Sequence, residues 1–145
     1  MKEDGKVCGV DLAIVNDGGA TGGGSGNSSA QHVTVCLQPE AMRYRGISVY
    51  TNTTPRGAQR GPGQNEMAAV LAPMTDKVAT AVGIDRVDFR RINALRSDGY
   101  QGGSQGPVTS SFIAEALDQG RREFNWEERE TQSRDIGGSK KRGIG

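Results

Sequence analysis

The sequence predicts an α+β fold, with strands in the N-terminal third, then a glycine-rich loop and about three helices. Three observations carry that prediction. Apolar residues partly alternate over 7–15 and cluster again over 33–37 and 47–50, as strands with one covered face do. From Met67 onward they recur at i, i+3, i+4 and i+7, the spacing of a helix with one buried side. Between the two regimes, residues 51–63 (TNTTPRGAQRGPG) break both patterns with glycine and proline.

Taken in order, Asp4-Gly5 is a hairpin-type turn signal. Val7, Cys8, Val10, Leu12, Ile14 and Val15 form the first strand. Residues 17–29 hold no apolar side chain larger than alanine, so a flexible Gly/Ser-rich loop is expected there. Strands follow at 33–37 and 47–50, separated by a Pro39-Glu40 turn and the Arg43-Tyr44-Arg45 triplet. Met67, Val70, Leu71, Met74, Val78 and Val82 line one face of the first helix, which Pro73 either kinks or delays until about Ala72. A late start would leave the glycine loop without a helix N-terminus beside it. The next helix has Asp85 as N-cap, Asp88 at N3, and Ile84 with Phe89 as a hydrophobic staple. A third starts near Ser110 or Ser111, with Phe112, Ile113, Ala116, Leu117 and Phe124 on its stripe and Trp126 packing at its end. Arg121-Arg122 and the charges over 127–130 read as a solvated face, and 133–145 as a polar basic tail.

Composition narrows the function classes. Eighteen basic against 17 acidic side chains give a net charge of +1, no field to draw nucleic acid or a membrane surface. No apolar run approaches the length of a membrane span, and the first residues lack the apolar core of a signal peptide, so a cytoplasmic location is expected. The 22 glycines in 145 residues are about twice the usual share of roughly 7 percent, which makes ordering the chain alone costly. Cys8 and Cys36 lack the clustered companions of a metal site and read as buried thiols in strands, with a disulfide as the alternative. His32 is the only histidine, so neither a metal triad nor a Ser-His-Asp arrangement can form. Asp11, Asp17 and Glu66 have no partner close in sequence, and no catalytic residue is assigned.

The chemistry therefore concentrates in residues 51–63. Glycine lets a backbone approach a ligand closely, and a following helix offers free N–H groups to an anion. Arg60, between such glycines, is suited to a phosphate because its fork matches two oxygens at once. The same residues also read as a plain Gly-Pro connector with a solvated arginine.

Thr51-Asn52-Thr53, then Arg60-Gly61-Pro62-Gly63, a helix, Gly83-Ile84-Asp85 and Phe89-Arg90-Arg91-Ile92-Asn93 resemble the molybdopterin-binding large subunit of the xanthine dehydrogenase and aldehyde oxidase family. In that family an Asn-Thr segment joins an Arg-Gly-aromatic-Gly loop, and the next helix ends in a Gly-x-Asp-Pro-like turn before an Arg-x-x-Asn. The spacing agrees over 49–93. Weaker echoes at Val15-Asn16-Asp17-Gly18, Phe124-Asn125-Trp126 and Lys140-Lys141-Arg142-Gly143-Ile144-Gly145 extend it over nearly the whole chain.

The resemblance implies a single partial segment, 1–145, of a several times longer molybdopterin-binding subunit, whether naturally split or truncated. It implies molybdopterin (the molybdenum cofactor) as the group held, with Gln59, Arg60 and Gly61 as cofactor-binding residues. Pro62 stands at a substrate-binding position where many members carry a phenylalanine, and a proline cannot stack on an aromatic substrate in the same way. That argues against a purine-type substrate and leaves aldehydes, isoquinoline-like rings or other compounds open, the implied function being oxidation of an aldehyde or N-heterocycle. Glu66 stands where the family usually has glutamine, and no arginine over 26–29 matches the one that contacts substrate in some members. The family's catalytic glutamate lies beyond this chain, so activity alone is not expected. The implied partners are the remainder of the large subunit, iron-sulfur and FAD groups on partner domains or subunits, and a small-molecule substrate. The alternatives are an inactive degenerate fragment or a small nonenzymatic RNA-binding module. The latter would use Arg56-Gly57, Arg60-Gly61 and Lys140-Lys141-Arg142 with Tyr44 and Tyr50.

Overall fold

Two strands, β1 (Gly9–Asp17) and β2 (Ala41–Val49), pair in parallel with Gly9 opposite Ala41 and Asp17 opposite Val49. Parallel neighbours need a crossover, and here it is helix α1 (Gly26–Cys36). A computed structural model describes residues 1–23, 26–101, 106–134 and 137–145. After β2 come α2 (Gln64–Ala81) and α3 (Arg86–Asn93). A two-residue antiparallel pair, β3 (Tyr100–Gln101) with β4 (Gly106–Pro107), precedes α4 (Ile113–Glu123) and α5 (Trp126–Arg134).

The α+β class stands, while several elements differ from the sequence reading. Residues 33–37, read as a strand, lie in α1 up to Cys36, and the loop read over 17–29 becomes helical at Gly26. Residues 24 and 25 lie outside the described ones. Val33-Thr34-Val35 is β-branched and favours a strand locally, yet Ser29, Val33 and Leu37, four residues apart, are all buried. Burial against α2 and β1 outweighs a propensity difference of well under 1 kcal/mol per residue. Cys8 lies ahead of β1 and Cys36 ends α1, so neither is in a strand, and both are half-buried free thiols. β2 begins at Ala41 and takes in the Arg43-Tyr44-Arg45 triplet. The alternation explains this: Met42 and Tyr44 turn to the covered face, while Arg43 and Arg45 pair with Asp11 across the outer one.

The core is Val33 of α1 and Leu37 just after it, Met67, Leu71 and Ala79 of α2, and Phe89 of α3, with Val10, Leu12 and Ile14 of β1 packed against it. Helix α2 runs unbroken through Pro73, which sits on its exposed side. It therefore starts at Gln64, directly after the glycine loop. In α3 the Asp85 cap forms as the sequence implies, its carboxylate accepting from Val87 N and Asp88 N at 2.9 and 3.2 Å. Asn93, fully buried, accepts from Val7 N at 2.9 Å and donates to Gly5 O and Phe89 O at 3.0 and 2.9 Å, tying the N-terminal segment to α3.

The single third helix of the sequence reading is two, broken at Asn125, which has a left-handed φ of 53°. Among the described residues five helices form in place of about three. Trp126 opens α5, and its indole N–H donates to Asp85 Oδ2 at 2.9 Å. Arg121, read as solvated, reaches Asp88 at 2.7 Å and Glu127 at 2.5 Å. Burial pushes the Asp85 carboxyl up, but the Trp126 indole, the two amides and Arg121 outweigh it and hold its pKa below the ordinary value. Residues 137–145 carry neither helix nor strand, and the Ile144 carbonyl accepts from Arg86 at 3.4 Å.

Candidate cofactor-binding site

The site grows from the C-terminal ends of β1 and β2, where a parallel sheet commonly opens into a ligand crevice. Beyond the strands the chains stay paired. Gly18 N donates to Val49 O at 2.9 Å, Thr51 N to Gly19 O at 3.2 Å, Ala20 N to Thr53 O at 3.2 Å, and Arg56 N to Gly18 O at 3.4 Å. The approach is so close that a Cβ at Gly19, whose φ is +69°, would stand 2.5 Å from the Thr54 carbonyl oxygen. Glycine is required there on both counts.

Asp17 lies inside this clasp. Thr51 Oγ1 donates to its Oδ1 at 2.5 Å, Gly19 N to Oδ1 at 2.9 Å, Thr53 Oγ1 to Oδ2 at 3.2 Å and the Arg56 guanidinium to Oδ2 at 3.4 Å. The Thr51 hydroxyl above all, then the Gly19 amide, hold its pKa down to about 2, so the carboxylate is ionised throughout the physiological range.

A cavity of about 580 Å³ opens beside the clasp, lined by Asn16 and Asp17 from β1, by Ser28 of α1 and by Arg56, Gln59 and Pro62 of the loop. Gly23, Gly57, Ala58 and Glu66 complete its wall. Ser29, buried on α1, donates to Gly63 O at 3.0 Å and so fixes where α2 starts. Gly63 caps α2 with a left-handed φ of 74° and without any side-chain cap bond, and Pro62 and Glu66 place that helix end at the cavity rim.

The sequence-predicted residues divide. Gln59 and Pro62 line the cavity. Arg60 and Gly61 do not; they form the turn into α2. The Arg60 carbonyl accepts from Asn65 Nδ2 at 3.0 Å, and the Gly61 carbonyl, at φ +74°, accepts from Gln64 N at 3.0 Å. The arginine on the cavity is Arg56, against the acids Asp17 and Glu66, so the wall offers backbone and neutral donors more than net positive charge. Sequence reasoning missed Asn16, Asp17, Thr51, Thr53 and Arg56 as a group. The signal that was present is Asp17-Gly18-Gly19, in which an aspartate two residues ahead of a left-handed glycine accepts the glycine's amide.

His32 is on α1 with Nε2 3.4 Å from Cys36 Sγ. Burial pushes the Cys36 thiol up, against a smaller pull downward from Arg90. Among the described residues no group of three His, Cys, Asp or Glu side chains is placed to hold a metal ion, and no single helix is long and apolar enough to cross a membrane.

Known proteins are similar to this chain in sequence and in fold. A family model described as the molybdopterin cofactor-binding domain matches residues 1–94. A putative xanthine dehydrogenase molybdenum-binding subunit of Escherichia coli K12 is 33% identical over 153 residues, which take in 100% of this chain and 20% of that subunit. The chain thus spans about a fifth of that relative's length. Among solved structures, the aldehyde oxidoreductase of Desulfovibrio gigas superposes with a TM-score of 0.80 at 22% identity, covering 94% of this chain and 15% of that one. Quinoline 2-oxidoreductase of Pseudomonas putida 86 gives 0.75 at 17% identity, covering 92% and 18%. At those identities the structures share the fold.

Proposed function

The chain belongs to the molybdopterin cofactor-binding domain family, and on that premise we propose that it forms one wall of the molybdopterin site in a molybdenum-dependent hydroxylase or dehydrogenase acting on an aldehyde or N-heterocycle. The observation that carries this is the cavity at the end of the parallel strands, walled by the 56–62 loop. Its size falls in the range of small-molecule sites, roughly 300–1,000 Å³. Gly57 supports the fit: a Cβ there would meet nothing within 4 Å, so this part of the wall faces open space. The donor set fits a polar cofactor as well, with Asn16, Ser28, Gln59 and Arg56 all on the lining.

Gln59 would hold the cofactor and Pro62 would face the substrate, both on the cavity wall, while the turn at Arg60 and Gly61 would set their placement from behind. When bound, the cofactor supplies the two-electron oxidation, with iron-sulfur and FAD groups on partner domains or subunits as the electron path. This chain binds, orients and excludes water. Asp17 commits its oxygens to the loop and is no general base. The family assignment leaves the RNA-binding alternative without support.

The test is metal and pterin analysis of the chain produced alone and together with the sequence that completes the subunit. The assembly should carry near-stoichiometric molybdenum and reduce a dye with an aldehyde or N-heterocycle, whereas the chain alone should do neither. An assembly free of molybdenum, or an isolated chain that retains cofactor and turns over, would overturn the proposal.

A further inference from the structure

The structure assigns to Asp17 a positioning role: its carboxylate holds the loop that begins at Thr51 in the placement that sets Arg56 and Gln59 on the cavity wall. This rests on the reading of that loop as the cofactor wall. Residues 52–60 are all exposed, so apolar burial does not fix them. Polar ties must do it: backbone bonds join Thr51, Thr53 and Arg56 to the Gly18–Ala20 segment, and the side-chain ties of the same three residues converge on one group. Thr51, Thr53 and Arg56, spread over six residues of the loop, each direct a donor at Asp17, while Gly19 adds its amide from the other side. The Thr51 and Thr53 hydroxyls are also 2.8 Å apart, so the same carboxylate orients both.

Asp11 supplies the contrast. It stands on the same strand and pairs with Arg43 and Arg45, but those partners belong to β2, which the sheet already holds, and none of the three lines the cavity. Asp17 lines it together with Arg56 and Gln59. A carboxylate accepting several donors at once restricts all of them, and hydrogen bonds to a charged acceptor are the stronger kind.

The experiment uses the assembled protein and three variants, Asp17→Ala, Asp17→Asn and Asp11→Ala, read by amide hydrogen exchange and molybdenum content. Asp17→Ala should speed exchange of the 51–61 amides by about tenfold or more, the factor expected from losing charge-assisted bonds, and leave the α3 amides unchanged. Molybdenum content should fall with it. Asp17→Asn keeps an oxygen for Gly19 and the threonines, so it should restore loop exchange to within about threefold of the parent. Asp11→Ala should match the parent in both readouts. Unchanged loop exchange in Asp17→Ala, or acceleration shared equally by α3, would overturn the assignment. Should the parent assembly itself carry no molybdenum, the cofactor reading fails by that fact, and loop exchange still decides whether Asp17 holds the loop.

Discussion

Replacing Gly19 by alanine tests the clasp at its tightest point. The new Cβ would stand 2.5 Å from Thr54 O, 2.7 Å from Pro55 Cα and 2.9 Å from Thr54 C, all of them backbone. Ordinary contact begins near 3.4 Å, so the two segments must part by about 0.9 Å. A side chain at φ +69° also pays roughly 1–2 kcal/mol for the left-handed conformation. Parting the segments stretches the Thr51 N–H bond to Gly19 O, already 3.2 Å, and a lost backbone bond costs about 1 kcal/mol. The expected total is about 2–3 kcal/mol. Urea unfolding followed by the fluorescence of Trp126, the single tryptophan, measures it. Gly57→Ala is the companion variant: nothing lies within 4 Å of its Cβ, so stability should stay within about 0.5 kcal/mol of the parent. Because Gly57 lines the cavity, the added methyl should still lower molybdenum content in the assembly. A Gly19→Ala protein as stable as the parent, or a Gly57→Ala protein that unfolds more easily than Gly19→Ala, would refute the reasoning.

Two further outcomes follow from the core and the α3 cap. Phe89→Ala, at a position 1% exposed in the centre of the core, should cost about 3–5 kcal/mol and show as a large loss of thermal stability by circular dichroism. Asp85 has a folded pKa below its ordinary 3.8, so its stabilising contribution is full above that value and is lost as pH falls through the folded one. The stability gap between the parent and Asp85→Asn should therefore be constant from neutral pH to about 4 and shrink below 3.8, as urea titrations at stepped pH will show.

Much of the α3 end of the fold was legible because its signals are local. The Asp85 cap and Asp88 at N3 act within one helical turn, and the 67–82 apolar spacing marks α2 whatever lies around it. The same holds for the Arg60-Gly61-Pro62-Gly63 loop, whose glycines announce an unusual backbone: Gly61 and Gly63 both take a φ of 74°. Whether α2 began before or after Pro73 was open in the sequence. The contact of Ser29 on α1 with the Gly63 carbonyl, 34 residues away, belongs to the tertiary structure that fixed its start.

What the sequence left unread depends on pairings between distant residues. Val33-Thr34-Val35 looks like a strand by propensity, and only the parallel pairing of β1 with β2 demands a crossover helix there. Arg121 looks solvated until the turn at Asn125 brings α5 back and α4 packs on α3, closing it onto Asp88. Asp17 looks unpartnered until the register that sets it opposite Val49 carries Thr51, Thr53 and Arg56 to its carboxylate, 34 to 39 residues away. By itself the sequence determined which backbone segments are unusual and which helix ends are capped, since those depend on neighbours within a turn. Only the tertiary structure decided which side chains meet at the cavity. A one-residue change in strand register would turn every side chain of β1 to the other face.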